Sequence, residues 1–476
     1  MGTTAMPESP FDLRLTGGQV VLPGLGLSEV DICVRDGRIA AIVDRAEPAA
    51  ALEVVDVSGR VILPGGIDSH VHLGKNIAGP EEPDDASKET ASAVAGGMTT
   101  VLAYMIGADD YGSAFQHSRR VMEQHSHSDF GFHFCIVTRE QLEALPGYVA
   151  DLGVSSFKFF MNFRGDEGAY LGVPGIDDAF MFDLLTIAKK NGAMINAHAE
   201  NVELIWRLRE DVSRDVDPGL PGWDATRPPF VEAEASQRVS YLARQLGASY
   251  YAVHVSSAEA PRALELQKGE YENIFLETCP HYLTLDVTSK MGSRAKVNPP
   301  VRTADNQDAL WEGVRNGSIH TIGSDHVPRH FSAKDKDVWH ASAGFPGTGT
   351  LLPMMISEGH LKRGIPLERI AELTATNPAQ LFGLYPRKGQ IAVGSDADLA
   401  IVDLTSGYTI TAATQHSGAQ YSVWEGTELD CRVTDTVIRG RFAVRNGELQ
   451  PAIGAEYLHR AHSGEAALVA AGLRSR

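Results

Sequence analysis

Gly65-Gly66-Ile67-Asp68-Ser69-His70-Val71-His72 follows the apolar run Val61-Ile62-Leu63-Pro64. That run reads as a strand ending in a turn. Residues two apart in a strand point to the same side. His70 and His72 therefore aim two imidazoles at one point, with Asp68 beneath them. Imidazole is a common ligand for zinc and related metals. Two unrelated strand histidines give the same pattern, so a metal site needs further ligands from the ends of later strands.

Downstream, apolar strand-like stretches alternate with helix-length segments. They cover 61–67, 99–104, 131–137, 155–160, 193–197, 250–253, 273–277 and 320–323. Strands with helical connections predict a parallel α/β architecture, and eight of them close a (β/α)8 TIM barrel. Active sites of such barrels lie at the C-terminal ends of the strands. Ligand-type residues fall there. The first strand leads to His70 and His72, the fourth carries Lys158, the fifth leads to His198, the sixth to His254 and the eighth to Asp325. Chance does not readily place six such residues on one rim. By contrast His117, His125, His127 and His133 lie on or near a polar helix and the third strand, and read as surface histidines.

The flanks have a different texture. Residues 11–60 form short alternating stretches, with Asp36-Gly37 as a hairpin signal. Similar strands return at 397–402 and 437–444, the latter running into an Asn446-Gly447 turn. Neither end has enough strands for a stable sheet. Residues 1–64 and 386–455 are therefore expected to build one composite β-sandwich domain around a barrel spanning 65–385. The tail, 456–476, is Ala-rich and is expected to be helical and to pack on a neighbouring subunit.

A chain of 476 residues is too long for one ordinary domain. With 43% hydrophobic and 22% charged residues it has the composition of a soluble globular protein. A net charge of -19 argues against a nucleic-acid partner, which wants a basic face, and reads as a solvated surface. Cys33, Cys135, Cys279 and Cys431 are widely spaced, which excludes a Cys-x-x-Cys metal site and a disulfide framework. A reducing cytoplasm fits. The first residues show neither a charged and apolar leader nor a myristoylation signal, and no apolar run reaches the ~18 residues that cross a membrane.

The rim residues divide naturally between two divalent ions. His70 and His72 would hold one with Asp325, and His198 and His254 the other. Lys158 is the odd member, because an ammonium is the wrong group beside cations. Like-charge repulsion and desolvation favour its neutral form, and a neutral amine adds carbon dioxide to give a carbamate, an anionic bidentate bridge. The alternative is an ordinary salt-bridge lysine. Phe157, Phe159 and Phe160 around it favour burial, and hence the bridge.

With these residues assembled, the chain resembles the cyclic amidohydrolases of the amidohydrolase superfamily: hydantoinases, dihydropyrimidinases, allantoinases and dihydroorotases. The resemblance runs from about residue 11 to 450. It rests on the stretch from Pro64 to His72, Phe157-Lys158, Asn196-Ala197-His198-Ala199-Glu200-Asn201 and His254-Val255-Ser256. It rests also on Glu277-Thr278-Cys279-Pro280-His281-Tyr282-Leu283, Asn298-Pro299-Pro300-Val301-Arg302 and Gly323-Ser324-Asp325-His326. The resemblance implies two divalent ions, zinc or alternatively manganese, bridged by an N6-carboxylated Lys158. It implies hydrolysis of the C–N bond of a small cyclic amide or imide, with Asp325 moving the proton, and a homotetramer with a dimer as runner-up.

The relatives separate unevenly. Dihydroorotases usually carry an arginine just after the His-x-His. Here the run is His72-Leu73-Gly74-Lys75-Asn76, and Lys75 lacks the bidentate fork, which argues against a biosynthetic dihydroorotase. Asn298-Pro299-Pro300 and Gly344-Phe345-Pro346-Gly347 resemble the hydantoinase and allantoinase side. The resemblance implies that backbone groups near Cys279 and Asn298, and around Phe345–Gly349 with Gly347 among them, hydrogen-bond the ring imide. One position departs. Hydantoinases and dihydropyrimidinases place a tyrosine shortly after the carboxylated lysine to steady the oxyanion, whereas this chain has Asn162-Phe163. Either Asn162, Tyr104 or Tyr170 replaces it, or the substrate differs from hydantoin and dihydrouracil. The expected function is that of a hydantoinase or dihydropyrimidinase-like enzyme, with an allantoinase or another cyclic-imide hydrolase as the alternative. Non-catalytic dihydropyrimidinase-related scaffold proteins lack the metal ligands, and this chain keeps all six.

Overall fold

The computed structural model describes residues 10–74, 77–169, 175–212 and 218–475. Lys75 and Tyr170 lie outside them. Eight parallel strands form one sheet: β1 (Gly66–His72), β2 (Met98–Met105), β3 (Asp129–Cys135), β4 (Ser156–Phe160), β5 (Met194–His198), β6 (Ser249–Ala252), β7 (Ile274–Thr278) and β8 (Thr321–Ile322). The barrel closes just past β8, where Val71 bridges His326 in parallel and the His72 N–H donates to the His326 carbonyl at 2.7 Å. Helices cover the outside, so the strands are buried on both faces and run apolar without alternation. Phe130, Phe132 and Phe134 in β3 are all buried. Several helices start on side-chain caps, among them Asp110, Thr138 with Gln141, Asp177 and Asn201.

The expected first strand, 61–67, is two strands of two different sheets. Val61–Pro64 pairs antiparallel with Leu399–Asp403 in the β domain, and β1 begins only at Gly66. The chain passes from one sheet to the other at Gly65. A Cβ there would lie 2.3 Å from Thr99 Cγ2, and one at Gly66 would lie 2.1 Å from Met98 Cε. Gly65 and Gly66 carry no side chain to mark a change of face, so periodicity did not show this junction. His70 and His72 consequently sit inside β1 rather than beyond it.

The β domain draws strands from both ends of the chain. One sheet orders Arg38–Asp44, Val30–Arg35, Phe11–Thr16 and Ala51–Asp56. The other joins Gln19–Leu22, Gly26–Ser28 and Val61–Pro64 to Leu399–Asp403, Arg432–Ile438, Arg441–Arg445 and Glu448–Leu449. Leu15, Ile32, Ile62, Leu399, Ile401 and Val437 pack in the core between them. The Asp36-Gly37 turn has φ of 51° and 75°, the left-handed pair that a two-residue hairpin needs.

The tail differs from expectation. Only Glu465–Ala470 is helical. Before it the chain runs extended along β3 of its own barrel: the Phe130 N–H donates to the Glu456 carbonyl at 3.0 Å and the Leu458 N–H to the Phe130 carbonyl at 2.7 Å. Arg460, fully buried, donates to the Phe132 carbonyl and, at 2.9 Å, to Ser156 Oγ. Free backbone groups at the start of β3 outweigh the helix propensity of an Ala-rich composition. Among the described residues no helix is long and apolar enough to cross a membrane.

Barrel and β domain are joined by a buried ammonium. Lys388 Nζ lies 2.7 Å from Asp129 Oδ2 in β3, 2.6 Å from Asp398 Oδ2 and 3.2 Å from Asp396 Oδ2. Burial opposes the charge, but the three carboxylates overcome it and push the lysine above its usual range. Replacing Lys388 by Met leaves buried carboxylates without their counter-ion. The expected loss is about 3–5 kcal/mol in denaturant unfolding. Breaking the exposed Lys189–Glu465 pair should cost under about 1 kcal/mol.

Candidate active site

The C-terminal rim of the barrel gathers all six predicted ligands. His70 Nε2 and His72 Nε2 lie 3.2 and 3.5 Å from Asp325 Oδ1. Their ligand atoms fall within 4.8 Å of one another. His198 Nδ1 and His254 Nε2 are 3.0 Å apart, and the rings of His70 and His254 are 5.4 Å apart. Lys158 Nζ reaches 3.2 Å from His70 Nε2. Every one of these side chains is buried. His254 and Asp325 adopt φ of 43° and 48°, a sparsely populated region for non-glycine residues that recurs at functional sites. Asp68 lies below them as expected. Its Oδ1 accepts the N–H groups of His70 at 3.2 Å and Ser324 at 3.0 Å, tying β1 to the turn after β8.

The imidazoles are aimed by acids that sequence reasoning did not single out. Glu277 Oε1 lies 2.6 Å from His70 Nδ1, which leaves Nε2 facing the cluster. Glu200 Oε2 lies 2.7 Å from His198 Nε2, which leaves Nδ1 facing it. Arg227 Nη1 holds the same Glu200 oxygen at 2.8 Å. Burial would raise the Glu200 carboxyl, but Arg227 and His198 hold it down to about 2. This carboxylate–imidazole arrangement is how metal-binding histidines are oriented. Both acids sit in quoted motif runs, one beside His198 and one ending β7. Their burial was the missing signal. His133 was misread. It is fully buried, hydrogen-bonded through Nδ1 to Ser156 Oγ and through Nε2 to the Ser69 carbonyl at 3.1 Å. It stacks on Tyr104, and β3 is buried on both faces, so no position in it is a surface position.

The electrostatics favour metal binding. Burial and neighbouring cations hold His70 and His254 well below the usual imidazole range, and burial lowers His72. Neutral imidazole is the ligand form. Burial likewise lowers Lys158, against the pull of Asp325. Its amine sits 4.6 Å from the Tyr104 ring centroid and 5.1 Å from that of Phe160. The Nδ1 atoms of His72 and His254 are buried without a hydrogen-bond partner. Three imidazoles held toward their neutral form, with the His198 ring, the Asp325 side chain and a lysine biased toward its neutral amine, fit the expected divalent ions. The second acidic cluster, Asp129, Asp396 and Asp398, does not fit one, because Lys388 already fills it.

A cavity opens over the ligands. Asn162, Phe163 and Asn298 line it, as expected, and so does Arg329, which was not. Cys279, Phe345 and Gly347 are not among the described residues that line it. Cys279 is buried at the start of the Pro280–Thr284 helix. Phe345 packs edge-on against His281 at 5.0 Å. The Gly347 N–H donates to His326 Nδ1 at 3.1 Å. Among the candidate replacements for the missing tyrosine, Tyr104 is engaged by Asn196 Nδ2 at 2.8 Å within the barrel. The Asn162 amide is buried, lines the cavity, and has neither its nitrogen nor its oxygen hydrogen-bonded.

Known proteins agree with this arrangement. The model of the amidohydrolase family matches residues 61–216 and 253–443. The chain is 32% identical to a D-hydantoinase of Geobacillus stearothermophilus, covering 95% of this chain and 97% of the relative. It is 35% identical to an allantoinase of Deinococcus radiodurans, covering 92% and 96%. The crystal structure of dihydropyrimidinase from Brevibacillus agri superposes with a TM-score of 0.87 at 32% identity, covering 95% of this chain and 99% of that one. A barrel rim carrying this ligand set and a likeness of this extent have one explanation: the chain belongs to the amidohydrolase family.

Proposed function

We propose that the protein is a binuclear-metal hydrolase of the hydantoinase and dihydropyrimidinase kind, opening a ring C–N bond in a small cyclic amide or imide. Its reaction class, hydrolysis of a cyclic amide, is that of its relatives. The observation that carries the proposal is the convergence of His70, His72, Lys158, His198, His254 and Asp325 on one rim, with two of the histidines locked by acids. His70, His72 and Asp325 would hold one ion, and His198 and His254 the other. A carboxylated Lys158 would supply an oxygen to each. When bound, such ions supply Lewis acidity and lower the pKa of water from 15.7 to about 7. Asp325 takes the proton of the attacking water on its carboxylate and returns it to the leaving ring nitrogen. The Asn162 amide donates to the carbonyl oxygen as its negative charge grows. Phe160 and Phe163, stacked at 4.0 Å, keep water from the site. The absent hydroxyl at Phe163 favours a substrate other than unsubstituted hydantoin or dihydrouracil, and the allantoinase relative makes allantoin, a substituted hydantoin, the second substrate to try. The four buried free thiols support placement in the cytoplasm.

Metal analysis tests the centre first. Protein grown with zinc or manganese should carry about two equivalents per chain. His198→Ala or His254→Ala should lose roughly one of them. Lys158→Ala should lose activity and at least one metal, and Lys158→Arg should behave the same, because guanidinium stays cationic. Active protein with metal content near zero overturns the binuclear proposal.

Asn162→Ala should lower kcat by about 10²–10³ with little change in metal content. Adding Phe163→Tyr to that variant should restore much of the loss. An unchanged kcat in Asn162→Ala removes the amide from the mechanism.

The proposed assembly is a homotetramer, with a dimer as alternative. Phe182, Phe230, Tyr241 and Leu266 are exposed on the outer helices Asp178–Lys190, Pro229–Leu246 and Glu259–Lys268, which supports burial against another copy. Sedimentation should give a multiple of the chain mass at micromolar concentration. A monomer alone counts against it.

A further inference from the structure

Apart from the predicted metal ligands, Arg329 is the charged residue among those that line the cavity. Arg329 faces the cavity with Val297, Asn298 and Gly344. Its Nε donates to the Ala343 carbonyl at 3.4 Å. Among the described residues no carboxylate oxygen lies within 4.0 Å of its guanidinium. Two buried lysines back the same wall. Lys334 Nζ donates to the carbonyls of Lys296 at 2.9 Å and Ser342 at 2.6 Å. Lys296 Nζ donates to the Trp339 carbonyl at 3.3 Å and stands 3.9 Å over the Trp223 ring. Neither lysine has a carboxylate within 4.0 Å among the described residues. Burial, then Lys296 and Arg329, hold Lys334 well below the usual lysine range.

Nearby buried cations are matched differently. Arg227 pairs with Glu200 and Glu167, and Arg302 with Asp224 and Glu232. A chain of net charge -19 has acids to spare, yet none reaches Arg329. The lysines are tied to carbonyls and fix the wall in place. Arg329 spends one donor on a carbonyl and keeps its fork for a ligand. A guanidinium fork matches a carboxylate bidentately. The cavity is small, about 70 Å³, which suits a five- or six-membered ring with a short substituent.

We propose that Arg329 is a specificity-determining residue, selecting cyclic amides that carry a carboxylate on the ring or on a short ring substituent. This rests on the cyclic-amide hydrolase proposal, and it assigns to that site the charge class of its substrate. The ring amide is recognised at the metal-ligand side of the cavity, and the anionic substituent at Arg329.

The test compares hydantoin-5-acetic acid with hydantoin-5-acetamide, which are nearly isosteric and differ in charge. In metal-loaded wild type, kcat/KM for the acid should exceed that for the amide by about 10-fold to 100-fold, the range for a hydrogen bond to a charged group. In Arg329→Gln the ratio should fall to near one, chiefly through the KM of the acid. In Arg329→Lys part of it should remain, because a point charge survives without the fork. A wild-type ratio near one, or a ratio that persists in Arg329→Gln, overturns the inference and leaves the hydrolase proposal standing. No turnover of either compound, nor of hydantoin, dihydrouracil or allantoin, by fully metallated protein overturns both.

Discussion

One buried carboxylate holds the rim together. Glu277 accepts from or faces His70 Nδ1 at 2.6 Å, the Tyr251 hydroxyl at 2.8 Å, the His254 N–H at 3.1 Å and Ser69 Oγ at 3.2 Å. Those partners come from β1, β6 and the turn after β6, while Glu277 itself is in β7. Two of the partners belong to predicted metal ligands, so a single side chain fixes the tautomer of one and the backbone of another. The space around it is fully used. A Cβ on Gly323 would lie 2.4 Å from Glu277 Oε2. Burial pushes the Glu277 carboxyl up to about 8, against the pull of its Tyr251 and His254 donors; a carboxyl this deep needs several hydrogen-bond partners, and those partners are the elements that must be held for the site to exist.

The molecule contains two buried lysines whose surroundings give opposite answers. Lys388, at the floor, has three aspartates within 3.2 Å and keeps its charge. Lys158, at the rim, has the Tyr104 and Phe160 rings nearby and imidazoles in front, and its charged form is disfavoured. The first serves as a cross-link between barrel and β domain. The second is poised for chemistry that needs a free amine. Residue type is identical in the two cases; the count of neighbouring carboxylates decides the role. The same accounting distinguishes Arg227, wedged between Glu200 and Glu167, from Arg329, whose fork is left for a ligand.

Support for the centre extends well beyond the ligands. Tyr104 stacks on His72 and His133, and meets His70 edge-on. His133 hands its hydrogen bonds to Ser156 and to the carbonyl beside His70, and Ser156 also accepts from Arg460 in the C-terminal segment. The tail is thus packed against the barrel of its own chain, three hydrogen bonds from the strand that carries His70 and His72.

The repeating strand–helix rhythm, the rim location of six ligand-type residues and the β strands contributed by both ends are legible in the residues alone. These follow from local rules: apolar runs, turn dipeptides such as Asp36-Gly37, and the two-residue period that puts His70 and His72 on one side. Which sheet each stretch enters was settled by tertiary pairing, since Val61–Pro64 and Gly66–His72 are both fully buried strands separated by a single residue and belong to different sheets. The tertiary structure alone placed Glu277 and Glu200 behind the histidines and His133 in the core. It also turned 456–464 into an extended segment and left Arg329 facing the cavity. Each of these depends on which residues become neighbours across long stretches of chain, and burial, pairing and desolvation act only once those neighbours have met.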